Sequence, residues 1–190
     1  MLNVPNTITV IRIIGSVCIP MLLLFEAKET GCLLALIIFI FCSVTDFLDG
    51  YFARRLNQTS NLGKMLDPIA DKLLVILVLG FLTLVFGETY SYLLGIPSVI
   101  IITREIIVSG IREFFGSTEG DFSVMNLSKF KTVMQMTAII FLLASQLRSF
   151  ENFYLFHFGL IFLWIAAGFA LYTGFVYSYR AVILLGEERK

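Results

Sequence analysis

The chain has 190 residues, of which 58% are hydrophobic and only 15% are charged. Soluble domains average about 45–50% apolar and about 25% charged residues, so this composition excludes an ordinary soluble protein and indicates a chain that folds in lipid. The 14 basic and 14 acidic residues cancel to a net charge of zero. This balance argues against a protein that coats nucleic acid through its overall charge, and we expect no nucleic-acid partner.

Uncharged stretches follow one another along the chain at residues 13–25, 30–45, 73–87, 89–103, 132–147 and 152–179. A membrane-spanning helix needs about 20 mostly apolar residues, and most of these stretches are shorter, so the spans must include charged residues at one end. We predict an all-α, polytopic membrane protein with six transmembrane helices in a single domain, residues 1–190. A short interfacial segment at residues 2–5 should precede the first helix, with Asn6 as its cap.

The basic residues predict an orientation for these helices. If the N-terminus faces the cytosol, only Lys28 and Arg148 lie on the opposite side. The positive-inside rule therefore favours both termini on the cytoplasmic side of the cell membrane. The basic residues on that side are Arg12, Arg54, Arg55, Lys64, Arg112, Lys129, Lys131, Arg180, Arg189 and Lys190.

Aspartates are concentrated in one part of the chain, at Asp46, Asp49, Asp67 and Asp71. Each pair has a spacing that places both side chains on one face of a helix, with small residues beside them. Four carboxylates facing one another near a membrane would repel strongly, and two divalent cations would balance them. Oxygen ligation suits Mg²⁺ or Mn²⁺, and two such ions suit phosphoryl transfer. Pro68 follows Asp67 and fits either a helix capped by Asp67 or a kink.

The pattern Asp-x2-Asp-Gly-x2-Ala-Arg-x8-Gly-x3-Asp-x3-Asp, read from Asp46 to Asp71, resembles the signature of the CDP-alcohol phosphotransferases at every specified position. Members of that family are membrane enzymes with six spanning helices, usually dimeric, which transfer a substituted phosphate from a CDP-alcohol to a hydroxyl and release CMP. The resemblance implies that the four aspartates hold two divalent metals, with Asp71 also the general base. The nucleotide site that it implies comprises Asn6, Thr9, Gly50, Ala53, Arg54 and Gly63.

Three weaker segments, at residues 5–12, 103–113 and 129–135, are similar to the members of the family that use glycerol 3-phosphate as acceptor. The resemblance implies transfer of a phosphatidyl group from CDP-diacylglycerol to sn-glycerol 3-phosphate by a homodimer in membrane lipid. Before the third segment the family has a glycine where this chain has Ser128, a position that we assign to a loop.

Basic residues in the fourth and fifth spans are candidates for binding the acceptor's phosphate on physical grounds alone. The positive-inside rule accounts for most of them about equally well, but Arg104 lies deeper in its span, with Glu105 available as a countercharge. Lys72 fits either a nucleotide contact or a partner of the aspartates, and Arg180 fits either the pocket or an interface anchor. The candidate acceptor-binding residues are Arg104, Arg112, Lys129 and Lys131.

Other functions fit parts of this pattern. The same chemistry could use inositol phosphate, serine or phosphatidylglycerol as acceptor, although serine needs no basic cluster. A cation transporter could use the same aspartates, but it would leave the spacing of Gly50, Ala53 and Gly63 unexplained. A structural membrane adaptor would tolerate the loss of the aspartates.

Overall fold

The computed structural model describes residues 4–25, 28–56, 61–86, 90–115, 126–147 and 153–187, and at residues 46–56 and some helix ends it describes the backbone alone. The helices in these ranges are α1 (Val4–Phe25), α2 (Lys28–Leu56), α3 (Asn61–Val85), α4 (Ser91–Phe115), α5 (Asn126–Ala144) and α6 (Phe153–Glu187). All but α2 are long and apolar enough to cross a membrane, and α2 has a shorter apolar segment at Glu29–Thr45. The prediction of an all-α, polytopic membrane protein is confirmed.

Several charged residues lie inside the helices. α3 begins at Asn61, before Asp67 and Lys72, and α4 continues past Arg104 to Phe115. The prediction that the spans include charged residues at one end is therefore confirmed.

Two local predictions were wrong, and one of two alternatives is excluded. α1 begins at Val4, so Asn6 lies within the helix instead of capping it, and residues 4 and 5 already belong to α1. Of the two interpretations of Asp67 and Pro68, the cap is excluded, because both residues lie inside α3. Ser128 lies in the first turn of α5 and not in a loop. Proline is well suited to the first turn of a helix, where its missing N–H costs no hydrogen bond, and Pro5 explains the early start of α1.

An apolar core runs through the middle of the bundle and includes buried residues from all six helices. α5 and α6 approach each other closely at Gly159, where an added Cβ would lie 2.8 Å from Leu142 Cγ and 3.2 Å from its backbone nitrogen. Such a Cβ would overlap the Leu142 side chain and press on its backbone, so glycine allows the two helices to approach this closely. The outer surface of α1 is apolar at Val10, Ile14 and Val17, as expected of a helix that faces lipid.

A second apolar cluster joins the C-terminal halves of α4 and α6. Its buried members are Val108, Tyr177 and Ala181, and Ile111, Phe115 and Leu184 pack against them. We call this cluster the α4–α6 seam. It lies on the C-terminal side of Arg104 along α4, so α4 and α6 stay packed together beyond that residue.

Candidate functional site

Polar residues occupy the buried face of α1 from its first turn to just past its middle, at Asn6, Thr9, Arg12 and Ser16. Their spacings of three, three and four residues place them on one side of the helix. The Ser16 hydroxyl donates to the carbonyl oxygen of Arg12 at 2.7 Å. The inner face of α1 thus carries hydrogen-bonding groups at the end of the bundle where α3 carries its aspartates.

Two contacts join these polar residues to α3. Thr9 Oγ1 donates to Asp67 Oδ1 at 2.7 Å. Arg12 Nη2 donates to Asp71 Oδ1 and forms an ion pair with it. The Arg12 side chain is only 2% exposed, whereas the Asp71 side chain is 48% exposed, and Asp67 is exposed as well. Each carboxylate is therefore held from the interior by α1 while it remains accessible from outside.

The remaining aspartates of the pattern belong to α2, and the side chains of residues 46–56, which include Asp46, Asp49, Gly50, Ala53 and Arg54, lie outside the described residues. Gly15 of α1 packs against Cys42 of α2, since a Cβ at Gly15 would lie 2.9 Å from Cys42 Sγ. Because α1 and α2 are joined by a short connection and pack together, they run antiparallel, and each residue advances the chain by about 1.5 Å. The backbone at Asp46 and Asp49 is thus at the level of Arg12 and Thr9.

The chemistry of the described carboxylates fits a divalent cation. Asp67 and Asp71 lie one turn apart on one face of α3, are both exposed, and offer the oxygen atoms that hard cations prefer. Among the side chains that the structure describes, no group of three acidic, histidine or cysteine residues comes together. A complete cation site would therefore need the α2 aspartates, and their ligand role stays a prediction.

The Arg104 side chain donates hydrogen bonds to residues of three helices, α6, α5 and its own helix α4. Its Nε donates to Thr173 Oγ1 of α6 at 3.2 Å, and its Nη1 donates to Glu105 Oε1 at 3.2 Å. Its Nη2 donates to Ser128 Oγ of α5 at 2.9 Å. The guanidinium also lies 5.9 Å from the centre of the Tyr177 ring, and the side chain is only 10% exposed.

Glu105 is shared between Arg104 and a second cation. Lys131 Nζ donates to Glu105 Oε1, and the Lys131 side chain is 2% exposed. The prediction that Glu105 is a countercharge for Arg104 is confirmed. Among the described side chains of this cluster, two cations and one carboxylate leave one positive charge, an unfavourable arrangement in the interior of a bundle that a bound anion would balance. We call Arg104, Glu105 and Lys131 the basic cluster.

The other candidate acceptor-binding residues are placed differently. Arg112 and Lys129 are both exposed and take no part in the described hydrogen bonds of the basic cluster. Arg112 follows Arg104 by eight residues, which at about 100° per residue turns it roughly 80° around α4. Arg180 is exposed on α6.

Lys72 connects α3, which carries Asp67 and Asp71, to α4. Its Nζ donates to Ser109 Oγ of α4, a contact that neither interpretation of Lys72 anticipated. Lys72 directly follows Asp71, and Ser109 lies one turn after Glu105. The bond between them therefore joins the helix that carries the aspartates to the helix that carries Arg104.

Sequence reasoning missed several residues of the site. Arg12 was used as an orientation signal and as the end of the segment at residues 5–12, but not as a site residue, although its spacing from Thr9 and Asn6 in an apolar helix marks a polar face. Thr173 and Tyr177 stand in the long apolar stretch of α6 and carry no local signal. Of the predicted nucleotide site, the structure buries Asn6, Thr9 and Gly63.

The sequence model of the CDP-alcohol phosphatidyltransferase family matches residues 2–172. The chain belongs to this family and is a transferase, as the aspartate pattern predicted. It is 33% identical to a protein of Cereibacter sphaeroides across 98% of this chain and 99% of that protein. It is 40% identical to a protein of Rickettsia bellii (92% and 93%) and 38% identical to one of Pseudomonas fluorescens (90% and 86%). Each relative is named CDP-diacylglycerol–glycerol-3-phosphate 3-phosphatidyltransferase.

Proposed function

We propose that this chain transfers the phosphatidyl group of CDP-diacylglycerol to sn-glycerol 3-phosphate at the cytoplasmic face of the cell membrane, giving phosphatidylglycerophosphate and CMP. The observation that carries the proposal is the placement of two regions of opposite charge on neighbouring helices. One hydrogen bond joins these helices, from Lys72 of α3 to Ser109 of α4. Exposed carboxylates lie on one side of it, and the basic cluster with its surplus positive charge lies on the other. The names of the relatives support the same pair of substrates.

The acidic side suits the donor's diphosphate. Asp46, Asp49, Asp67 and Asp71 would hold two divalent cations, of which Mg²⁺ is favoured. Such cations neutralise phosphate charge and polarise its oxygen atoms when they are bound. Thr9 and Arg12 fix the directions of the two α3 carboxylates, and Arg12 offsets one negative charge of the four. The cytidine nucleotide would lie along Asn6, Thr9, Gly50, Ala53, Arg54 and Gly63, with the acyl chains in lipid.

The proposed reaction is a single displacement at phosphorus. The 1-hydroxyl of glycerol 3-phosphate attacks the phosphorus that bears diacylglycerol, a new P–O bond forms, and the bond from that phosphorus to the oxygen of CMP breaks. Asp71 accepts the proton of the attacking hydroxyl and later releases it to water. The Asp71 side chain is 48% exposed, so the attacking hydroxyl can reach its carboxylate.

The basic side suits the acceptor's phosphate. Arg104 and Lys131 would bind it, because an anion there balances the surplus charge of the basic cluster. Arg112 and Lys129 are exposed and would attract the acceptor as it approaches. The homodimeric assembly is proposed from the family resemblance.

An acceptor panel tests this function. The purified protein in lipid nanodiscs receives CDP-diacylglycerol, Mg²⁺ and one of four acceptors: glycerol 3-phosphate, inositol phosphate, serine or phosphatidylglycerol. We expect CMP release with glycerol 3-phosphate alone and its complete loss when EDTA removes the metal. Preference for another acceptor would overturn the assignment of glycerol 3-phosphate. Mg²⁺ flux in liposomes without any CMP release would instead favour a transporter.

A further inference from the structure

Ser128 stands where the family pattern has glycine, and it contacts Arg104. We propose that Ser128 is a positioning residue, which orients the Arg104 guanidinium toward the phosphate of the acceptor. The proposal rests on the proposed function, because it assumes that an anionic acceptor binds at the basic cluster. Its basis is the 2.9 Å bond from Arg104 Nη2 to Ser128 Oγ, the shortest of the three hydrogen bonds that Arg104 makes to described residues.

The hydrogen-bond inventory of Arg104 leaves groups for a ligand. A guanidinium has five N–H donors, of which Nε carries one and each terminal nitrogen carries two. Thr173, Glu105 and Ser128 each accept from a different nitrogen. Within the described part of the chain, one N–H on each terminal nitrogen thus remains. Two donors on two nitrogens match two oxygen atoms of a phosphate group.

Each nitrogen of the guanidinium has its own acceptor among these three residues. Thr173 and Glu105 hold Nε and Nη1, and neither restrains Nη2 directly. Ser128 restrains Nη2, and it comes from α5 rather than from α4 or α6. A glycine at this position has no hydroxyl to offer, so a chain with glycine must orient the arginine in another way.

α5 also carries the second cation of the cluster. Ser128 and Lys131 are three residues apart, a spacing that places them on one side of the helix. Lys131 reaches Glu105, and Ser128 reaches Arg104 beside it. One turn of α5 therefore sets the positions of both cations, which makes Ser128 a determinant of affinity for the acceptor rather than of the chemical step.

Kinetics of Ser128→Ala test the proposal, with CMP release measured at saturating CDP-diacylglycerol and varied glycerol 3-phosphate. We expect KM for glycerol 3-phosphate to rise about five- to tenfold, with kcat and the KM for CDP-diacylglycerol within twofold of the unchanged chain. Ser128→Gly should behave alike, and Ser128→Thr, which keeps a hydroxyl, should restore most of the affinity. An unchanged KM for glycerol 3-phosphate in Ser128→Ala would overturn the proposal.

The matched control is Thr132→Ala, since the Thr132 hydroxyl lies one turn away and donates only to the carbonyl oxygen of Ser128. A double-mutant cycle with Arg104→Lys adds a readout that general damage to α5 would not mimic. If Ser128 acts through Arg104, Ser128→Ala does not raise the KM for glycerol 3-phosphate further in the Arg104→Lys background. A further rise, by the same factor as in the unchanged chain, would contradict the proposal. Absence of glycerol 3-phosphate-dependent CMP release in the unchanged chain would instead refute the proposed function.

Discussion

The two charged regions of the bundle are the acidic side, around Asp67 and Asp71, and the basic side, which is the basic cluster. They differ in whether the carboxylate of the ion pair is exposed or enclosed. At the acidic side the cation, Arg12, is buried, and the carboxylate that it binds, Asp71, is 48% exposed. At the basic side both Glu105 and Lys131 are enclosed, at 17% and 2% exposure. The acidic side thus presents its charge outward, while the basic side keeps one positive charge inside the protein.

This difference matches two kinds of ligand. Hydrated cations and a diphosphate arrive with their own charges and waters, and exposed carboxylates can bind them without prior desolvation. A single phosphate is bound more strongly where water is excluded, because the effective dielectric constant is lower there. The contrast therefore supports separate binding of donor and acceptor on the two sides of the Lys72–Ser109 bond.

The largest expected effect is at the acidic side. Asp71→Asn keeps the shape of the side chain but removes the proton acceptor, and we expect CMP release to fall about 10³-fold. Binding of CDP-diacylglycerol should persist, since Thr9 still holds Asp67. Single-turnover CMP release and donor binding in nanodiscs are the measurements. The control is Glu113→Gln, an exposed acid on α4. Full turnover by Asp71→Asn would remove this residue from the base role.

A smaller effect is expected when the enclosed pair of the basic side is broken. Glu105→Gln leaves Lys131 buried without its countercharge, and we expect the free energy of unfolding to fall by about 3 kcal/mol. The double variant Glu105→Gln/Lys131→Met removes both charges and should recover most of this loss, although its acceptor KM stays high. Denaturant unfolding in detergent micelles compares the two. Equal destabilisation of the single and double variants would show that the loss does not come from leaving the Lys131 charge without Glu105.

The smallest effect concerns the fit of Arg104 against α6. A Cβ at Gly174 would lie 3.2 Å from Arg104 Cγ, whereas a Cβ at Gly168 meets nothing within 4 Å. Alanine in a helix stabilises by about 0.5–1 kcal/mol relative to glycine. We expect this gain for Gly168→Ala and its cancellation for Gly174→Ala, because Arg104 is bound by three helices and cannot shift freely. Unfolding free energies measure the difference, and an equal gain at both positions would contradict a fixed Arg104.

Composition and spacing predicted the parts of this molecule that depend on local pattern. Helices that span lipid must satisfy their own backbone hydrogen bonds, so the uncharged stretches indicated helices. Contacts between distant segments could not be obtained this way. Arg12 and Asp71 are 59 residues apart, and Arg104 and Thr173 are 69 apart. Their meeting depends on which helices are neighbours, which no local pattern specifies.

Ser128 illustrates the same limit in another form. Its departure from the family pattern was visible in the sequence, but its meaning depended on whether it stood in a loop or in a helix. Once it is placed in the first turn of α5, its hydroxyl meets a guanidinium 24 residues away in the chain. A substitution that looks neutral along the sequence can therefore change the geometry of a binding group.

The α4–α6 seam has a consequence for the electric field of the site. Val108, Tyr177 and Ala181 form an apolar contact on the C-terminal side of Arg104. Mobile ions and water weaken a charge only where they can reach it. Tyr177 of the seam lies 5.9 Å from the Arg104 guanidinium, so the seam keeps water and ions away from that side of the charge, which is screened less there than it would be in solvent. A buried apolar contact thus strengthens the attraction of the basic cluster for an anion.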